Sequence, residues 1–158
     1  MSFLKFLFAM FLSFLPGIFG IMVSPISTGQ NIWYNSLYNS ALTPAGWVFS
    51  VAWTILYILI GWALYLVMQS RDKRQQDKVS AYVLFTVNII LNTLWSFVFF
   101  GAQSPKTALI VLVALIIVAI FMMRSFFRIN KLAGYLIIPY ILWMMFATYL
   151  NGMIIYLN

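Results

Sequence analysis

The chain has 158 residues and contains no cysteine, no histidine and only two acidic residues, Asp72 and Asp77. These absences exclude metal sites built on thiolate or imidazole, iron–sulfur clusters, His- or Cys-ligated haem, Cys nucleophiles and His general bases. Disulfides are excluded as well, so cysteine usage gives no clue to redox compartment. Both acids fall in one short polar stretch, and no Lys or Arg lies deep within an apolar run. A proton relay, a gating-charge array and a Schiff-base lysine are therefore not expected.

What the chain has in abundance is apolar bulk: 65% of residues are hydrophobic and 7% are charged. A soluble core of this size cannot hide that many apolar side chains. The predicted fold class is an all-α membrane protein, because the alternating polarity of a barrel is absent. Five runs are long enough to cross a hydrocarbon layer of about 30 Å, at about 20 helical residues each. They cover residues 2–23, 46–68, 79–100, 106–126 and 132–156, within a single domain over 1–158. Lys5 and the run after it look like the start of a signal peptide, but no small-x-small cleavage site follows, so the run is read as the first helix.

Charge sets the predicted orientation. With five spans, Lys5, Arg71, Lys73, Arg74, Lys78, Arg124, Arg128 and Lys131 fall on one side and Lys106 alone on the other. The positive-inside rule then places the N-terminus in the cytoplasm and the C-terminus outside. The net charge of +7 reads as topology and not as nucleic-acid binding. The run from Arg71 to Arg74 is read first as a short basic loop and second as a contact for anionic lipid headgroups.

The first helix carries Ser13, Gly17, Gly20 and Ser24 at three-to-four residue spacing, a stripe of small side chains along which another helix can approach closely. Pro16 should bend it near the middle. Counting inward from the outer helix ends at about 1.5 Å per residue, Trp95 lies about 8 Å deep, Trp53 about 10 Å, Asn92 about 12 Å, Ala147 about 14 Å and Trp143 about 20 Å. Helical periodicity aligns Phe49, Trp53 and Tyr57 in one stripe. It aligns Asn88, Asn92, Trp95, Ser96 and Phe99 in a second, and Pro139, Trp143, Ala147 and Asn151 in a third. An aromatic pocket in the outer half of the bundle is predicted where these stripes meet. Asn88 and Asn92 are too costly to face lipid, so each either bonds to another helix or meets a ligand. Trp47 reads as an interfacial belt residue, and Trp62 as packing on another face or meeting lipid. The first loop, residues 24–45, carries no charge. Its Trp33-Tyr34 pair, Leu37, Tyr38 and Leu42, interspersed with Asn31, Asn35, Ser36, Asn39 and Ser40, suggest a short amphipathic segment resting on the bundle, as a lid or as a surface anchor.

Several blocks, in order, resemble the translocator protein family, also called tryptophan-rich sensory proteins or peripheral-type benzodiazepine receptors. They are Trp33-Tyr34; Pro44 with Trp47-Val48-Phe49, Ala52-Trp53-Thr54 and Leu56-Tyr57; Asn92-Thr93-Leu94-Trp95 with Phe99-Phe100-Gly101; and Pro139-Tyr140, Trp143, Ala147-Thr148 and Leu150-Asn151. The resemblance spans roughly residues 13 to 151. It implies a five-helix bundle in the bacterial plasma membrane, usually a homodimer, whose outer-half pocket binds porphyrins and synthetic isoquinoline carboxamide or benzodiazepine-type ligands under the first loop. Carried over by position, the implied ligand-binding residues are Tyr34, Pro44, Trp53, Asn92, Trp95, Ser96, Trp143, Ala147 and Leu150. The family also implies light- and oxygen-dependent breakdown of protoporphyrin IX, with Trp53 and Trp143 as the photochemical residues, no metal and no resident cofactor.

The loop departs from the family pattern. Asn39-Ser40, Ala41-Leu42 and Pro44-Ala45 stand where many members have a Lys-Pro pair, an aromatic and a double proline, so loop-dependent affinity is expected to differ. Tyr156 is followed only by Leu157 and Asn158, so no basic residue completes the animal cholesterol-recognition pattern. Three functions are carried forward in rank: a porphyrin-binding sensor or regulator of tetrapyrrole level, a transporter of porphyrin or another amphipathic molecule, and a structural or partner-binding membrane protein. No coupling-ion site or strong internal repeat marks the second.

Overall fold

The computed structural model describes residues 2–23, 32–70 and 74–158; Ser24, Asn31, Arg71, Asp72 and Lys73 lie outside the described residues. Its helices are α1 (Ser2–Val23), α2 (Ile32–Ser36), α3 (Gly46–Gln69), α4 (Gln75–Ser96), α5 (Pro105–Ile129) and α6 (Lys131–Leu157). A π-helical turn, Phe97–Gly101, continues α4. Among the described residues there is no strand, and five helices are long and apolar enough to cross a membrane. The short α2 sits where the sequence suggested an amphipathic segment.

The predicted runs match these helices in number and order, but the helices extend further. Polar Gln75, Gln76, Asp77 and Lys78 already belong to α4, and α5 continues past Arg124 and Arg128 to Ile129. Hydropathy marks the edge of the hydrocarbon layer, whereas the backbone ladder continues into the headgroup region until a cap ends it.

The local chemistry at these ends is specific. Between the π turn and α5, Gln103 adopts a positive φ of 50°, and Ser104 Oγ donates to Thr107 Oγ1 at 2.9 Å. Pro105 then opens α5, where a missing N–H leaves no ladder bond unmade. Asn130 alone separates α5 from α6. Its Oδ1 accepts from Ala133 N at 3.1 Å, capping α6. Gly134 lies under the Phe127 ring so closely that a Cβ there would collide with it, which keeps this helical hairpin tight.

The five long helices close into a ring: α1 packs on α3 and α4, α3 on α6, α6 on α5, and α5 on α4. The ring is solid at one end and hollow at the other. Ile60, Leu64, Val67, Phe85, Leu115, Met122, Phe126 and Ile137 fill the end away from α2. Near α2 the buried cluster shrinks to Phe99, Ala108 and Ile154, with Trp33, Tyr34 and Leu37 packed against it. Lys5, Arg74, Lys78, Arg124, Arg128 and Lys131 belong to the solid end, and Lys106 to the α2 end. The perimeter is apolar: Leu7, Phe11, Val83, Ile90, Ile110, Ile117 and Leu142 all point outward. A surface of that kind needs hydrocarbon around it, and the chain is an integral membrane protein. Trp47 and Trp62 belong to this perimeter, 67% and 48% exposed.

Close approach of α1 rests on the small-residue stripe. A Cβ added to Gly61 of α3 would fall 2.7 Å from Ser13 Oγ and 3.2 Å from Met10 Cα; one added to Gly17 would fall 2.8 Å from the Tyr57 ring. Ser13 is fully buried and returns its hydroxyl proton to Met10 O at 2.8 Å, so the seam holds no orphaned donor. Gly61→Ala must push α1 away and should lower stability by about 1–3 kcal/mol, as overpacking does. Gly152→Ala, where an added Cβ meets nothing within 4 Å, should leave the melting temperature in detergent unchanged or raised.

Candidate functional site

The hollow end holds a half-open cavity of about 470 Å³, within the range of small-molecule sites. Phe14, Gly17, Ile18, Gly20 and Ile21 supply its α1 wall, and Phe49, Ser50, Trp53, Thr54 and Tyr57 its α3 wall. Asn92, Trp95 and Ser96 come from α4, Phe99 and Phe100 from the π turn, and Ala147, Leu150, Asn151 and Ile154 from α6. Tyr34 reaches it from α2, and α5 supplies none of the wall.

Two arrangements shape the floor. Trp53 stacks on Tyr57, with ring centroids 5.4 Å apart and planes at 28°, and meets Tyr140 edge-on at 6.3 Å. Tyr140 is fully buried between α4 and α6, where its hydroxyl donates to Asn88 Oδ1 and accepts from Asn92 Nδ2, both at 3.1 Å. Of the two roles left open for the asparagines, Asn88 takes the interhelical bond. Asn92 makes one too and also faces the cavity.

The roof depends on the π turn. Ala102 N donates to Phe97 O at 2.8 Å, five residues back, and the widened turn carries Phe99 and Phe100 side by side. Trp95 stacks on Phe99 at 5.2 Å. Trp33 meets Phe99 at 5.6 Å and Tyr34 meets Phe100 at 5.9 Å, both near-perpendicular, so α2 sits on an aromatic seat. Burial pushes the Tyr34 phenol above its usual pKa, and it stays neutral at physiological pH. Beyond α2 the loop is tied to α6. Tyr38 N donates to Asn158 Oδ1 and Asn158 Nδ2 donates to Tyr38 O, both at 3.0 Å, while Ser40 Oγ and Tyr149 OH lie 3.1 Å apart. Of these residues Ser40 stands at the second position of the Asn39-Ser40 pair, where many family members have the proline of a Lys-Pro pair.

Tyr34, Trp53, Asn92, Trp95, Ser96, Ala147 and Leu150 come together in the wall. Pro44 and Trp143 do not. Pro44 lies in the link that follows the Ser40–Thr43 turn and leads into α3. Trp143 lies one turn below Ala147, meets Phe49 edge-on at 5.9 Å, and lines a shallow groove with Ala52, Ile55, Leu56, Pro139, Leu142 and Phe146. Depth and helical spacing placed it near the pocket, but the Phe49 ring occupies the position on the wall. The α1 contribution was missed, because its glycines were read as packing alone; a stripe without side chains also leaves room for a ligand.

Ring and cavity define a class: a five-helix membrane protein with an aromatic cavity beside a short loop helix. The sequence model of the TspO/MBR family matches residues 9–157, and the chain belongs to that family. It is similar to the tryptophan-rich protein TspO of Chlorobaculum tepidum, 40% identical over 126 residues, covering 80% of this chain and 79% of that protein. The tryptophan-rich sensory protein of Cereibacter sphaeroides is 34% identical, with 90% and 87% covered. The human translocator protein is 31% identical, with 75% and 70% covered.

Tyr140→Phe would remove one hydroxyl that serves two asparagines, and Asn88 Nδ2 already has no partner. The variant should lose about 1–2 kcal/mol of stability, read as a lower melting temperature in detergent. An unchanged transition would mean that the triad contributes nothing to holding α4 against α6.

Proposed function

We propose that the cavity binds porphyrin, protoporphyrin IX foremost, and that the protein uses this binding to sense or regulate tetrapyrrole level. The observation that carries the reading is the cavity itself: about 470 Å³, walled by Trp53, Tyr57, Trp95, Phe99 and Phe100, and roofed by Tyr34. Aromatic faces on several sides suit a flat conjugated ring, which gains from stacking as well as from burial. The basic residues gather at the end away from α2, so the positive-inside rule puts the lid and the cavity mouth on the outer side and the N-terminus in the cytoplasm. A homodimer in the bacterial plasma membrane belongs to the same reading, by family resemblance.

Light-dependent breakdown of the bound pigment is part of the proposal. Excited porphyrin and oxygen supply the reactivity, and an indole in the wall exchanges an electron with the pigment. The chain's part is to orient and confine, in a space without acids or bases. Trp53 lines the wall and stacks on Tyr57, which supports that role for it. Trp143, behind Phe49, acts at longer range.

The test is protoporphyrin IX absorbance over time in aerobic light, with a dark control and with binding followed separately by tryptophan quenching. Pigment loss should need both protein and light. Trp53→Phe should slow it severalfold, and Trp143→Phe should slow it less. Saturable binding without protein-dependent loss would leave a sensor or carrier and remove the photochemistry. Absence of saturable binding would remove the porphyrin reading altogether.

A further inference from the structure

Packed between α4 and α6, α5 exposes one face to its surroundings. From Ile110 onward every exposed residue on it belongs to that face: Ile110, Val113, Ile117, Phe121, Arg124 and Arg128. Their spacing of three or four residues makes a single stripe. About 20 helical residues span the hydrocarbon, so a count from Pro105 brings its far edge close to Arg124. Arg124 and Arg128 therefore stand at headgroup level, about 6 Å apart along the axis, at the end of an apolar track. Lys131 follows, exposed, at the start of α6. One turn beyond it Tyr135 is also exposed, its ring edge-on to Phe127 at 4.9 Å.

No acid accompanies these cations on α5 or α6. The acids of the chain are Asp72 and Asp77, and Asp77 belongs to the first turn of α4. Like charges at i and i+4 repel each other, and the first turn of a helix, where Lys131 sits, disfavours a cation. Arg128 gains from the C-terminal end of the α5 dipole, but Arg124, a turn earlier, lies beyond its reach. A phosphate drawn between the two guanidinium groups relieves their repulsion and accepts from paired N–H donors. Membrane orientation asks for basic residues at this end; it does not ask for two of them on the stripe that carries Ile117 and Phe121.

We infer that the end of the α5–α6 hairpin away from α2 holds an anionic phospholipid, with its phosphate at Arg124, Arg128 and Lys131 and an acyl chain along Phe121 and Ile117. The occupant is a lipid and not a soluble anion, because one stripe supplies both the cation pair and the apolar track below it. The cavity is a separate place, since α5 contributes nothing to its wall, and this lipid site does not depend on what the cavity binds.

The test titrates dioleoyl phosphatidylglycerol into the full chain in neutral detergent, with bound lipid counted by native mass spectrometry. Binding should saturate and be at least tenfold tighter than that of dioleoyl phosphatidylcholine. Arg124→Gln with Arg128→Gln should remove that preference, whereas the same two positions changed to Lys should keep most of it. Arg74→Gln with Lys78→Gln, at the same end but on α4, should alter affinity less than twofold. If the double Gln variant shows no cooperative thermal transition, Arg124→Gln alone must still weaken binding at least threefold. Equal binding of the two lipids would overturn the inference. So would equal losses in the α4 and α5 pairs, which would mean a diffuse surface potential, or glycerol phosphate displacing the lipid at equal concentration, which would mean a headgroup site without the track. Lipid found on dimers alone, with the dimer lost in the double Gln variant, would make the stripe a contact between copies and would also overturn it.

Discussion

The hydroxyl of Tyr140 joins α4 to α6 in the middle of the bundle. Hydrocarbon offers no water to an amide side chain, so Asn88 and Asn92 must find partners on another helix. One phenol serves both, at 3.1 Å each. Its position divides the molecule. On one side Ile60, Leu64, Phe126 and Ile137 close the ring's interior; on the other the helices enclose a space whose floor is Trp53, Tyr57 and Asn92. The cavity is thus part of the same construction that satisfies the buried amides.

The upper half is held differently. Aromatic contacts from the π turn seat α2, and the Asn158 amide pairs with both backbone groups of Tyr38. These contacts lie near the membrane surface, where water competes for each hydrogen bond and lowers its net worth. The wall itself is aromatic, and among the described residues that line it there is no Lys, Arg, Asp or Glu.

Much of this was legible in the sequence. Five apolar runs gave five spanning helices, because length and hydropathy are what a bilayer demands. Depth and periodicity brought Trp53, Asn92, Trp95, Ser96 and Ala147 to one level, and the structure places all five in the cavity wall. Trp143 lies against Phe49 and outside the cavity lining, because depth and phase do not tell which of two neighbouring rings lines a cavity. Helix ends were read short, since Gln75 and Lys78 are polar yet helical. The π turn had no signal in a period-3.6 reading, and Tyr140 entered only through the Pro139-Tyr140 block, with no bonding role read for it. The wall on α1 was hidden because Gly17 and Gly20 contribute space and not side chains.

The central claim is that the half-open cavity beside α2 is the ligand site. Because the chain has no cysteine, one introduced thiol reports on one place. The most direct measurement is the labelling rate of Ser96→Cys, in the cavity wall, beside Lys106→Cys, exposed at the same end, with and without saturating protoporphyrin IX. The account predicts that the porphyrin slows labelling of the first at least tenfold and leaves the second unchanged. Equal rates at Ser96→Cys with and without a bound pigment would contradict it, and would place the porphyrin on the outside of the bundle.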